Sequence, residues 1–149
     1  MFVVPILLVI DLVSKYFAST MIKQIILIPN FLALNYVKNF GMAWSILSGQ
    51  TILLSLIAAF AIIAMIYYLL YKKPLGFKKI AIECMLAGAI GNLLDRLFLG
   101  YVRDFIDVNI FGYDFPIFNV ADCALSIGVI ILFIIEYKEE RNGKNEFNG

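Results

Sequence analysis

The sequence predicts a mainly α-helical membrane protein: four transmembrane helices, both termini cytoplasmic, and a small β platform on the extracytoplasmic side. Three observations carry this. Of the 149 residues 62% are hydrophobic, and the mean hydropathy is +0.91, well outside the range of soluble domains. Four segments supply the run of about 20 predominantly apolar residues that a spanning helix needs. The connections after the first and third segments are rich in aromatic and β-branched residues broken by turn signals. The spans fall at about 2–22, 51–71, 78–98 and 119–137, the outer β regions at about 25–48 and 104–118. Residues 1–137 thus form one domain, and 138–149 read as a disordered cytoplasmic tail.

In the first span, FVVPILLVIDLVSKYFASTMI, the apolar run is interrupted by Asp11 and Lys15. They form an i, i+4 acid–base pair in the favoured order, able to neutralise itself inside a bilayer. With no basic lead and an acid and a base within the run, the segment reads as a retained span and not as a signal peptide. In the connection that follows, PNFLALNYV sets Leu32, Leu34 and Tyr36 in alternation with Ala33, Asn35 and Val37, a strand pattern. The second span, TILLSLIAAFAIIAMIYYLLY, has no charged residue.

The third span places Gly88, Asn92 and Asp95 at i, i+4 and i+7, with Gly91 beside them, so one face is polar and must look toward protein. Asp95 next to Arg96 reads as an ion pair holding the helix end. Ala87 with Gly91, and Ala124 with Gly128 on the fourth span, have the spacing of closely packed membrane helices, so the third and fourth should touch. Between them, FIDVNIFGYDFPIF reads as two strands about a Gly112-Tyr113-Asp114 turn, with Asp107 and Asp114 as exposed loop residues. The fourth span opens with Asn119 and Asp122 in its outermost turn, where Asn119 is suited to capping.

Charge position sets orientation. The loop KKPLGFKK holds four lysines, and Lys138, Arg141 and Lys144 follow the fourth span; the other two connections hold only Lys23, Lys38 and Arg103. The positive-inside rule puts the lysine-rich loop and the termini in the cytoplasm. A net charge of +1 gives no footprint for nucleic acid. The absence of histidine removes Ser-His-Asp and Cys-His constellations and histidine metal sites. Cys84 and Cys123 are widely spaced thiols in apolar segments, with no metal-site pattern and no expected disulfide.

Two carboxylates, Asp104 and Asp122, can converge at the outer boundary, and on composition alone a functional site and a purely structural set of charges stand about level. A transporter would keep its carboxylates nearer the midplane, where only Asp11 lies. Ser14 and Lys15 do not suit a Ser-Lys peptidase, since adjacent helix residues point about 100° apart.

Read in order, DLVSK at 11–15, NFGMAW at 39–44, AGAIGNLLDR at 87–96, VRDFIDV at 102–108 and FNVAD at 118–122 resemble the motif series of lipoprotein signal peptidase, or signal peptidase II. That family consists of bacterial membrane aspartyl peptidases. The resemblance implies an endopeptidase that removes the signal peptide from prolipoproteins, cutting on the N-terminal side of a diacylglyceryl-modified cysteine. It implies Asp104 and Asp122 as the catalytic dyad. Asn39, Gly41, Asn92, Asp95, Arg96, Asn119 and Ala121 are implied around substrate and dyad, with Asp11 and Lys15 as structural or lipid-contacting residues.

It further implies no cofactor or metal, a monomer among membrane lipids, and residence in the bacterial cytoplasmic membrane with the active site at its extracytoplasmic face. The chain departs from the family pattern at Ala87, where glycine is frequent, at Arg103, where an apolar residue is frequent, and in its short lead. Two close carboxylates sharing one proton can hydrolyse a peptide without histidine or metal. The dipole of the fourth helix would favour ionised Asp122 and leave the shared proton on Asp104.

Overall fold

A computed structural model describes residues 2–21, 23–41 and 47–147, with side chains described through 142. In chain order the elements are α1 (Val3–Met21), β1 (Gln24–Ile28), β2 (Leu32–Asn39), α2 (Thr51–Tyr71), α3 (Gly76–Leu99), β3 (Val102–Ile110), β4 (Tyr113–Asp114) and α4 (Val120–Phe147). Residues 42–46, with Met42, Ala43 and Trp44 of the NFGMAW stretch, lie outside the described residues.

Among the described residues three helices are long and apolar enough to cross a membrane: Val3–Met21, Thr51–Tyr71 and Val120–Asn142. The third expected span, α3, falls short of that apolarity because it carries Lys78, Lys79, Glu83, Asp95 and Arg96. Its position explains how it tolerates them. Residues 81–84, 86–89, 91 and 92 are buried, and α3 packs against α1, α2 and α4, whereas α2 buries only Leu54. The polar helix is wrapped by the apolar ones.

Glycine makes the close approach of α3 and α4 possible. A Cβ at Gly88 would overlap the Ala121 carbonyl, one at Gly91 the Asp11 carboxylate, and one at Gly128 the Ala81 carbonyl and Met85. The expected contact is therefore present, with Gly88 and Gly91 facing Ala121 at its seam. Ala87 lies with Val4 and Leu86 in an apolar cluster bordered by Leu7, Ile62, Met65 and Leu69 of α1 and α2.

The tail departs from the expected disorder, since α4 continues to Phe147. Lys138, Glu139, Glu140 and Arg141 are good helix formers. Lys78 of α3 also ties down this stretch, with Nζ 2.6 Å from Glu136 and 3.3 Å from Glu139.

The two expected β regions join into one antiparallel sheet ordered β1-β2-β3-β4. Leu34 pairs with Ile106 and, past an irregularity, Val37 with Asp104 and Asn39 with Val102. That register brings the end of β2 alongside the start of β3. The β3–β4 turn is Phe111-Gly112, one residue earlier than Gly112–Asp114. Both have positive φ, 52° and 87°, the pattern of a type I′ hairpin, so Asp114 becomes a strand residue paired with Asn109. Asp107 is likewise no loop residue: it lies within β3 and accepts a hydrogen bond from Asn35 Nδ2 at 3.2 Å.

Candidate active site

The site is assembled around the N-terminus of α4, where the first backbone N–H groups have no partner inside the helix. Asn119 Oδ1 accepts the Asp122 N–H at 2.9 Å, and Asp122 Oδ2 accepts the Asn119 N–H at 3.2 Å. This is a capping box with Asp in the role usually taken by Glu or Gln. The Ala121 N–H is satisfied from another helix, by Asp11 Oδ1 at 2.9 Å. Asp122 is therefore held in the first turn by its own backbone neighbourhood.

Asp104, on β3 and only 2% exposed, reaches the same cap. Its Oδ1 accepts from Asn119 Nδ2 at 2.6 Å and its Oδ2 from Asn39 Nδ2 at 2.8 Å. Asn92 Nδ2 donates to Asp122 Oδ1 at 2.7 Å, while Asn92 Oδ1 accepts from Lys15 Nζ at 3.0 Å and from Asn119 Nδ2 at 3.1 Å. Each oxygen of the two carboxylates thus accepts an N–H, and Asn119 serves both residues at once. The side chain of Asn39 is fixed in turn: its Oδ1 accepts the Gly41 N–H at 2.8 Å, and the Gly41 carbonyl accepts from Arg96 Nη2 at 3.1 Å. Ala121 is buried where α4 meets Gly88 and Gly91, a place for a small side chain.

Burial, and then the negative charge of Asp122, push the Asp104 carboxyl up to about 6, against the opposing pull of the Asn39 and Asn119 hydrogen bonds and of Lys15. Asp104 therefore senses the charge of Asp122.

Behind the pair runs a line of alternating charge. Lys15 Nζ is 2.8 Å from Asp11 and 3.5 Å from Asp95; Asp95 then takes Arg103 Nη2 at 2.7 Å, Nε at 3.1 Å and the Arg103 backbone N–H at 2.9 Å. Two expectations are corrected here. Asp95 does not pair with Arg96, because neighbouring helix residues diverge; its cation is Arg103, and Arg96 turns to Gly41. The Asp11–Lys15 pair exists but is not self-contained, since both members also bind α3 or α4. The hydroxyl of Ser14 donates to the Asp11 carbonyl at 2.8 Å.

Sequence reasoning missed the partnership of Arg103 and the burial of Glu83. Glu83 is 2% exposed and accepts the Val3 N–H of α1 at 3.3 Å, with Lys79 at 3.8 Å. The i, i+4 spacing from Lys79 and the shared face with Ala87 could have marked it; Arg103 offered only a charge within a strand. Asp107 and Asp114 stay outside the network, bonded to Asn35 and Asn109. Cys84 and Cys123 are free thiols. Among the described residues no cluster of three or more acidic or cysteine side chains is placed to hold a metal ion.

Fold and site together define a multi-pass membrane protein built around a pair of amide-held carboxylates. Residues 3–138 match the family described as signal peptidase (SPase) II. Lipoprotein signal peptidases of Staphylococcus aureus, including that of strain JH9, are 42% identical over 142 residues, covering 93% of this chain and 87% of theirs.

Two solved structures are similar, both described as a bacterial membrane enzyme studied by the in meso method. The one at 2.3 Å resolution has a TM-score of 0.88 at 41% identity, covering 94% of this chain and 88% of its own. The one at 1.9 Å has a TM-score of 0.80 at 42% identity, covering 89% and 88%. The chain belongs to the signal peptidase II family and is a membrane protease.

Proposed function

We propose that the chain is an aspartyl endopeptidase, with Asp104 and Asp122 as its dyad, that removes the signal peptide from diacylglyceryl-modified prolipoproteins on the N-terminal side of the modified cysteine. The observation that carries this reading is the treatment of the two carboxylates. Each oxygen is held by a neutral amide, from Asn39, Asn92 or Asn119, and among the described residues neither aspartate has a cation within 4.0 Å. Carboxylates meant only to brace a fold are more economically paired with cations, as Asp11 and Asp95 are. Held by amides alone, the two are free to pass a proton between them. The relatives named lipoprotein signal peptidase supply the substrate class.

In the proposed reaction, ionised Asp122 takes a proton from water as its oxygen attacks the scissile carbonyl carbon, and protonated Asp104 gives its proton to the carbonyl oxygen. When the tetrahedral intermediate collapses, the C–N bond breaks and the amine departs with the proton held by Asp122. The remaining hydroxyl proton returns to Asp104. Asn119 keeps both aspartates in register, and Asn39, Gly41 and Arg96 border the space for substrate backbone. No metal or cofactor takes part.

The apolar helices hold the acyl chains of the substrate in the bilayer while its cleavable bond meets water at the sheet end. In this reading α3 is a fourth crossing, shielded from lipid by its neighbours. The lysine-rich α2–α3 loop and both termini are cytoplasmic, and the site faces outward from the bacterial cytoplasmic membrane. The enzyme works as a monomer among membrane lipids.

The test is cleavage of a diacylglyceryl-cysteine prolipoprotein by purified protein in detergent. Asp104→Asn and Asp122→Asn should each remove nearly all turnover, and the double variant should be scarcely worse than either. Substantial cleavage by either well-folded single variant rules out the dyad.

A further inference from the structure

The charged line behind the dyad ends at a residue that the proposed chemistry does not use. Arg103 immediately precedes Asp104 on β3, and its side chain is only 15% exposed. Asp95 grips both its guanidinium and its backbone N–H, at 2.7 Å and 2.9 Å. The backbone bond would form with almost any residue at 103; the guanidinium fork adds a second anchor and a charge.

Without that charge, Asp11 and Asp95 would share the single cation Lys15, which sits 2.8 Å from one and 3.5 Å from the other. The same lysine donates to Asn92, which holds Asp122. A second cation leaves Lys15 free to serve Asp11 and Asn92.

We infer that Arg103 is a positioning residue for Asp104: by clamping Asp95 it locks the start of β3 onto α3 and completes a charge-neutral brace, Asp11–Lys15–Asp95–Arg103, behind both aspartates. The inference rests on the proposed dyad. It differs from a purely structural salt bridge in one respect, because its lysine, Lys15, faces Asp104 and donates to Asn92, which holds Asp122. Asp104 is faced by Asp122 of α4, Lys15 of α1 and Arg96 of α3, with Asn39 of β2 and Asn119 donating to it. Arg103 is faced by Asp95 of α3, Asp11 of α1 and Tyr36 of β2. Removing the Arg103 charge leaves excess negative charge near Asp104 and favours its protonated form; removing Asp95 does the reverse.

The test measures kcat, KM and thermal unfolding for the full chain in detergent with a diacylglyceryl-cysteine peptide, over roughly pH 5 to 9, where the limbs of the profile report the essential acid and base. Arg103→Gln should lower kcat about tenfold with KM held within about twofold. It should also move the alkaline limb up by about half a pH unit. Asp95→Asn should move that limb down.

Arg103→Lys, which keeps the charge and loses the fork, should leave the limb in place with an intermediate kcat. The double variant Asp95→Asn/Arg103→Gln, neutral again, should return the limb toward the wild-type position while kcat stays low. If Arg103→Gln does not fold, Asp95→Asn set against the double variant carries the same comparison, since only the first changes the net charge of the brace. An unmoved limb across the charge-changing variants, with stability alone reduced, would overturn the positioning role. Full loss of turnover in Asp104→Asn beside an unmoved limb sinks this inference alone, whereas residual turnover in Asp104→Asn sinks the dyad first.

Discussion

Asp104, a member of the proposed dyad, carries a titration that bears on stability as well as on the proposed chemistry. Its ordinary carboxyl value is 3.8, and burial together with Asp122 lifts it to about 6 in the folded protein. The folded state therefore binds the proton more tightly than the unfolded state. The contribution of Asp104 to stability is fully present below about pH 4 and is lost as pH rises through about 6, by on the order of 3 kcal/mol at most. Asp104→Asn removes that titration. The variant should gain stability relative to wild type as pH rises from 4 to about 7, with a flatter profile in thermal unfolding. A wild-type profile that rises with pH across that window, unchanged by the substitution, would contradict this account. The same elevated value predicts that wild-type turnover declines on the alkaline side as the shared proton is lost. At this scale the sequence pointed to Asp104 and Asp122 as neighbours at one boundary and was silent about how Asn119 divides its hydrogen bonds between them. Residue type is local, but which donor meets which oxygen depends on the packing of β3 against α4.

Among the elements, the helix pairings follow from small residues and from polar groups that cross between helices. Gly88→Ala places a methyl against the Ala121 backbone carbonyl, and Gly91→Ala places one against the Asp11 carboxylate. Overpacking of this kind costs roughly 1–3 kcal/mol, so both variants should unfold at lower temperature in detergent, whereas Gly112→Ala, with open space around its Cβ, should be penalised only by its positive φ.

The Asp11–Lys15 pair gives a second test of helix association. Each single change to an apolar residue strands a buried charge, so the double variant should lose less than the sum of the two. It should still be less stable than wild type, because it leaves the Ala121 N–H without its acceptor and takes the lysine away from Asn92 and Asp95. Strict additivity, read from thermal unfolding of all four proteins, would sink the coupling.

For the whole molecule, the orientation of the bundle is the property to measure. Single cysteines at Leu75, just before α3, and at Phe111, in the β3–β4 turn beyond its other end, in a variant lacking Cys84 and Cys123, replace residues that are 83% and 105% exposed. They are better probes than Gly76 and Gly112, whose φ values of 56° and 87° would strain a cysteine. In intact cells a membrane-impermeant thiol reagent should label position 111 and spare position 75. The opposite pattern would invert the proposed topology and place the dyad on the cytoplasmic side.

The sequence by itself determined the apolar helices, the single polar face of α3 and the two β regions, because each rests on a local period of hydrophobicity that needs no partner to be read. It also singled out Asp104 and Asp122, through residue identity and the boundary position of both. Only the tertiary structure decided the partners. Asp95 binds Arg103 and not Arg96, Lys15 reaches Asn92 across 77 positions, and Asp11 caps α4 across 110. It alone turned α3 into the buried helix and carried α4 past its apolar stretch, through Lys78 and two glutamates. The physical reason is the same throughout: a charged group in a low-dielectric interior takes whichever counter-charge the packing angle brings within reach, and packing angles are set by glycines and helix crossings far from that group in the chain.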